Sequence, residues 1–193
     1  ARLSDALFFY NQDQKITLEE HAKKLSNITF HARLGTLSQK IERLEMLAAF
    51  VAENVGASTE DARLCARLCK ADLVTGMVYE FPELQGIMGS YYAKAQGMSA
   101  DVCQAIAQHY QPRGPQDPLA QNLLGKILSL VDRLDTLVGF FAIEVTPSGS
   151  GDPFALRRAA LGVIRLLEER TFSIPLESLL SQAYGLYESF FTQ

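Results

Sequence analysis

Apolar positions recur three and four residues apart along almost the whole chain. In "ARLSDALFFYNQD", Leu3, Leu7, Phe8 and Tyr10 fall within one stripe. From about Gly35 to Asn54, Leu37, Ile41, Leu44, Leu47, Ala48 and Val51 keep the spacing of an amphipathic helix, and Gly56 follows where a C-terminal cap belongs. "TLEEHAKKLSNI" opens on Thr17 with Glu20 three residues on, the pattern of a capping box. "STEDARLCARLCKADLVTGMV" opens on Ser58 and Asp61 and reads as one helix burying Leu64, Leu68, Ala71 and Asp72. Pro82 ends that helix or begins the next. "ELQGIMGSYYAKAQG" and "SADVCQAIAQHYQP" are two more helices, and Gly86 and Gly89 in the first permit close contact or a bend.

"PRGPQDP", residues 112 to 118, is the clearest loop, with three prolines and a glycine. The helix after it, from about Leu119 to Phe141, is apolar nearly all round and should be central. "TPSGSGDPFALRRAALGVIRLLEER" feeds a Gly-Ser loop into a helix, with Asp152 placed as N-cap and Pro153 at the first helical position. "PLESLLSQAYGLYESFF" is a last amphipathic helix. No segment alternates with the period of two that marks a strand, so the fold expected is all-α.

Composition narrows the function classes. Of 193 residues, 48% are apolar, enough to bury a sizeable core. The formal net charge is −4, whereas a dedicated duplex-binding module is usually basic, so any RNA contact must be a local patch. No apolar run reaches membrane-span length and no secretion signal opens the chain, which points to the cytoplasm. The chain starts at Ala1 inside a helical pattern, as expected of a piece of a longer protein. Cys65, Cys69 and Cys103, with His21, His31 and His109 scattered, suit buried thiols in a reducing compartment better than a zinc site.

The acids carry a more specific pattern. "LEMLAAFVAENVGASTEDARLCARLCKADL", followed by "SLVDRLDTLVGF", resembles the layout of the HD superfamily of helical metal-dependent phosphohydrolases. There, one His on an early helix, a His-Asp pair on the next and a later Asp hold a divalent metal that activates water. Here the early His position falls near Lys40, the His of the pair is Ala71, and only Asp72 and one of Asp132 or Asp135 remain. A lysine at that place repels a cation. Asp72 is therefore expected to be a structural relic near Asp132 or Asp135, paired with Lys70, Arg133 or a helix-end amide, since an unpaired buried carboxylate is costly.

"HARLGTLSQKIERLE", "KADLVTGMVYEFPELQGIMGSYYA" and "DRLDTLVGFFAIEVTPSGSGDPFALRRAALGVIRLL" occur in this order. With "ARLSDALFFY" they resemble the beta subunit of bacterial two-subunit glycyl-tRNA synthetases, through nearly all of the chain. The resemblance implies an internal segment of a longer subunit. Flanking helices would occupy 1–34, a degenerate HD-like helical domain 35–170, and a helix leading to the rest of the subunit 171–193. It also implies a module without a catalytic site of its own. Glycine and ATP, with magnesium, would react on the alpha subunit, leaving no cofactor in this segment. The partners implied are tRNA-Gly, the alpha subunit and the remaining beta-subunit domains.

Candidate RNA contacts follow. "GSGDPFALRRAA" offers Arg157 and Arg158 at a helix start, where N–H groups and the helix dipole suit phosphate. Internal salt bridges to Asp132, Asp135 or Asp152 are the alternative. Phe81, Tyr91 and Tyr92 could stack on unpaired bases or pack between helices. Arg33 and Lys40, beside His31, form a basic edge that faces either solvent or RNA. No motif supplies a catalytic residue. A structural scaffold at a domain or subunit interface is the rival function, and a metal-dependent phosphohydrolase a third.

Overall fold

A computed structural model describes residues 2–192. Among them lie ten α-helices and one short two-stranded hairpin, so the fold is all-α as the periodicity predicts. In chain order the helices are α1 (Arg2–Asp13), α2 (Leu18–Lys23), α3 (Leu37–Val55), α4 (Thr59–Leu68), α5 (Gly76–Glu80), α6 (Ile87–Ala95), α7 (Ala100–Gln108), α8 (Leu123–Ala142), α9 (Leu156–Glu168) and α10 (Leu176–Phe191). No helix among the described residues is long and apolar enough to cross a membrane.

The α3 boundaries are set by side chains. Thr36 accepts from the Gln39 amide while the Gln39 side chain accepts from the Thr36 amide, closing both halves of a capping box. Gly56 ends the helix in the left-handed conformation at φ 72°, which costs glycine no Cβ clash. The inward face of α3 buries Ile41, Leu44, Leu47, Ala48 and Val51. That face packs against α4 and against α8, and α8 also touches α7, α9 and α10. α8 is thus the central helix, starting at Leu123 because the Asn122 side chain accepts from the Gly125 amide.

Three local expectations give way. Residues 58–78 are not one helix. α4 stops at Leu68, a 3₁₀ turn runs over Ala71–Val74, and Thr75 starts α5 by accepting from the Val78 amide. The break lets Asp13 reach the Gly76 and Met77 amides, which a continuous helix would have kept. Second, Thr29–His31 (β1) pairs antiparallel with Gly35–Thr36 (β2), and strands this short carry no visible alternation. Third, α9 begins at Leu156, with Ala155 at φ 55°, rather than at Pro153. Asp152 still caps it, from farther back: its carboxylate accepts from the Leu156 and Arg157 amides at 2.8 and 2.9 Å.

Two apolar clusters result. The main one fills the space between α2, α3, α4, α6, α7 and α8. A smaller one lies under the hairpin, where Leu34, Phe140, Ile143, Leu156 and Tyr187 meet. Between them run the buried charges.

Candidate functional site

Three helices and a turn bring the chemistry-bearing residues together. Lys40, on the first turn of α3, is 3% exposed. Its ammonium lies 3.1 Å from Asp132 Oδ1 and 2.9 Å from Asp135 Oδ2, and it donates to Thr136 Oγ1 at 3.0 Å. One turn on, Arg43 donates through Nε to Asp135 Oδ1 at 2.7 Å and through Nη2 to the Tyr187 hydroxyl at 3.0 Å. Tyr187 comes from α10, and its hydroxyl lies 3.0 Å from both the Asp135 carbonyl and carboxylate oxygens. Lys70, in the turn after α4, donates to Asp132 Oδ2 at 2.8 Å and lies 4.0 Å from the Tyr110 ring centre. Arg133 points the other way, donating to the Tyr110, Pro112 and Ser129 carbonyls, with no carboxylate partner among the described residues.

The electrostatics follow from this packing. Burial pushes the Asp132 carboxyl up, but the Lys70 and Lys40 ammoniums outweigh it and hold Asp132 well below the usual carboxylate range. Burial draws Lys70 down, and the Asp132 charge more than reverses that, leaving Lys70 above the usual lysine range. His109 is fully buried, with Nδ1 2.6 Å from the Ile106 carbonyl oxygen. That carbonyl calls for a proton on Nδ1, so Nε2 is a bare acceptor, and it has no partner among the described residues. Burial, reinforced by the Lys70 charge, lowers His109 to about 3.

The five HD-like positions separate. Lys40, Asp132 and Asp135 meet in one ion cluster, so both candidate acids face the same ammonium. Ala71 is buried and offers no ligand. Asp72 is not paired with either acid. It is fully buried, and its Oδ2 accepts from the amides of Gly86 and Gly89, 2.6 and 2.9 Å away at the start of α6. Of the partners considered for it, the helix-end amide is the one formed. Burial outweighs those two bonds and raises the Asp72 carboxyl, while Oδ1 has no partner among the described residues. This donor set does not fit a divalent metal. An ammonium bridges the two α8 carboxylates, no imidazole joins them, and the third acid is committed to backbone.

The proposed RNA contacts also divide. Lys40 and Tyr92 are corrected: Lys40 is buried and its N–H groups are taken, while Tyr92 is 1% exposed and donates to Asp13 Oδ2 at 2.7 Å. Neither can touch RNA. Tyr91, one residue away and 100° around α6, is exposed and lines an apolar concavity with Leu3, Leu7, Tyr10 and Met88. Arg33 is exposed, though its Nη1 donates to the Ile143 carbonyl at 3.0 Å. Arg157 and Arg158 are exposed on the first turn of α9. Their side chains form no hydrogen bond or ion pair among the described residues, so the internal bridges to Asp132, Asp135 or Asp152 are not made. The α9 amides are not open to phosphate, because Asp152 occupies two of them.

Sequence reading missed Asp13. Its buried carboxylate accepts from the Gly76 and Met77 amides and from Tyr92, docking α1 onto the start of α5. Position 13 closes a helix in the sequence, and nothing local to it signals a partner 63 residues away.

The pattern of these residues has close relatives. A family model described as glycyl-tRNA synthetase beta subunit matches residues 1–193. The chain belongs to that family. It is 51% identical over 184 residues to the glycine–tRNA ligase beta subunit of Phenylobacterium zucineum, covering 94% of this chain and 28% of the relative. It is 52% identical over 186 residues to that of Rhodospirillum centenum, covering 95% and 26%, and 48% identical over 187 residues to that of Neisseria gonorrhoeae, covering 97% and 27%. The chain thus spans little more than a quarter of the length of these relatives.

Two stability measurements test the cluster. Asp135→Ala leaves Arg43 with no carboxylate and Lys40 with Asp132 alone, and should cost about 3–5 kcal/mol in denaturant unfolding. Lys40→Met should cost clearly less, because Asp132 keeps Lys70 and Asp135 keeps Arg43; the reverse order would refute the assignment. For pH, the folded His109 lies below its unfolded value of about 6.5, so the stability it contributes is full above that value and is lost as pH falls toward 3. Between pH 7 and 5 unfolding should become easier by about 2 kcal/mol, and His109→Gln should flatten that slope.

Proposed function

We propose that this segment is a non-catalytic helical module of a glycine–tRNA ligase beta subunit that helps dock tRNA-Gly for glycylation. The activity, with ATP and magnesium, would reside on an alpha-subunit partner, in the cytoplasm. Family membership supports the ligase context. The observation that carries the RNA reading is the state of Arg157 and Arg158. Two adjacent guanidiniums stand exposed at a helix N-terminus, where the macrodipole opposes them, and among the described residues they form no hydrogen bond or ion pair, with Asp152 near enough only for a longer-range attraction. Helix stability does not account for that placement; an external anion does. The cation-bridged carboxylates, with no imidazole bonded to them among the described residues, support a module without hydrolytic chemistry.

A scaffold role has an observation of its own. α8, α9 and α10 enclose an apolar groove of about 630 Å³, lined by Leu137, Phe141, Ile164, Leu176, Leu180 and Tyr184, several of them substantially exposed. An apolar surface of this kind marks an interaction site. Its occupant, on this reading, is a segment from the rest of the same polypeptide, since the relatives are close to four times as long as this chain.

Two measurements address these roles. In the complete two-subunit enzyme, Arg157→Glu with Arg158→Glu should leave glycyl-adenylate formation intact. It should weaken tRNA binding about tenfold or more and lower the salt slope by about two, one for each lost phosphate contact. Unchanged tRNA affinity in a folded, assembled enzyme would end the docking reading. For the groove, hydroxyl-radical labelling of the full-length subunit should leave Tyr184 protected while Tyr79, 84% exposed here, reacts. Equal labelling of both would show the groove uncovered.

A further inference from the structure

A second cavity, of about 290 Å³, opens beside the ion cluster. Tyr110, Asp132, Thr136, Phe154, Ala155 and Arg158 line it. Phe154 forms an aromatic wall, half-exposed and stacked at 4.3 Å on the core ring of Phe140, so its position is fixed from behind. The Tyr110 hydroxyl makes no hydrogen bond among the described residues. Asp132 remains 16% exposed although both its oxygens already receive ammoniums, so it keeps lone pairs for a further donor. Arg158 stands at the rim with an unengaged guanidinium.

The local charge is positive in an acidic chain. Lys40, Arg43 and Lys70 bond Asp132 and Asp135, and Arg133, held nearby on carbonyl acceptors, adds a fourth cation against two carboxylates. Counting Asp72 as ionised leaves a surplus of one. Adding Arg157, Arg158 and Asp152 at the rim gives six against four. Lys40, Arg43 and Lys70 are buried, where water screens their charge poorly.

We infer that this cavity seats a single unstacked nucleotide, with its base against Phe154, a base amino or imino group donating to Asp132, and its phosphate at Arg158. The chemistry matches each wall: a flat apolar face, a carboxylate acceptor beneath it, and a guanidinium at the open edge. The volume is at the lower limit of small-ligand sites, sufficient for one base and too small for a duplex. The nucleotide is either free or the unpaired end of an RNA. In the RNA case the inference rests on the docking role proposed above.

The test uses the complete two-subunit enzyme and two hairpin RNAs differing only in an unpaired 3′ extension, with AMP, GMP, CMP and UMP as competitors. Phe154→Leu keeps an apolar contact with Phe140 and removes the stacking face. Ala159→Leu fills the cavity from α9 without altering charge, and decides the matter if Phe154→Leu fails to fold. Each should weaken the extended RNA roughly five- to tenfold, the loss expected for one stacked base, and leave the blunt RNA unchanged. If a free nucleotide is the ligand, mononucleotides bind the native enzyme and lose affinity to the same extent in both variants. Native affinity for every probe in a folded variant would overturn the inference. The Arg157→Glu, Arg158→Glu enzyme separates the two ideas: tRNA binding lost there but kept in the cavity variants leaves RNA docking standing without this pocket, and binding kept in all of them removes both.

Discussion

The Asp135 carboxylate is the point on which three helices depend. It takes an ammonium and a guanidinium from α3 and lies against a phenol from α10, all within 3.3 Å and nearly out of contact with water. Desolvating such ions costs several kcal/mol each, and only close, fully bonded geometry offsets that. The network is therefore intolerant of approximation. A helix shifted by one residue along α8 would strand two cations in the interior, whereas an apolar seam would tolerate the slip. Asp132 and Lys70 extend the same logic to the turn after α4. The apolar clusters on either side supply most of the burial, and the ions fix the register in which it occurs.

The remaining buried acids work through backbone amides. Asp13 caps α5 and Asp72 caps α6, each from a separate segment, while Asp152 caps α9 from the loop before it. A helix N-terminus buried or half-buried without acceptors would leave unsatisfied N–H groups, and carboxylates there also complement the dipole. One consequence bears on function. The helix start most suggestive of a phosphate site in the sequence is already occupied by the protein's own carboxylate. Under the proposed docking role, anion recognition would fall to side-chain guanidiniums, which is why the free state of Arg157 and Arg158 matters more than the Gly-Ser loop preceding them.

Much of the fold was legible because periodicity is a local property. α3 and α8 follow from the spacing of Leu44, Leu47 and Val51 and of Ile127, Leu130, Val131 and Leu134, and their ends from Gly56 and Asn122. The break after Leu68 was not legible, since it is stabilised by Asp13 and by Asp72 contacts made elsewhere in the chain. The site was half legible. That Lys40 and Ala71 stand where an HD-like layout has its imidazoles was readable from residue type alone. Which charges find each other was not: Lys40 reads as a surface base until α8 is laid against it. Tyr91 and Tyr92 were separable in principle, because Tyr92 lies on the α6 face shared with Met88 and Gly89, but burial of that face depends on α7 packing there.

The ion cluster also links architecture to recognition. A bridging ammonium can do what a bound metal does structurally, holding two carboxylates of α8 against α3, but it is no Lewis acid and cannot lower the pKa of water as a metal does. Lysine at such a place keeps the crosslink without supplying that chemistry. It also changes the sign of the surroundings. With more buried cations than buried carboxylates, the cluster gives a mildly acidic protein a positive interior that reaches the surface near Asp132, between Tyr110 and the start of α9. A local field of that kind is what the proposed docking role needs, since it would let a chain of net charge −4 attract an anion at one place.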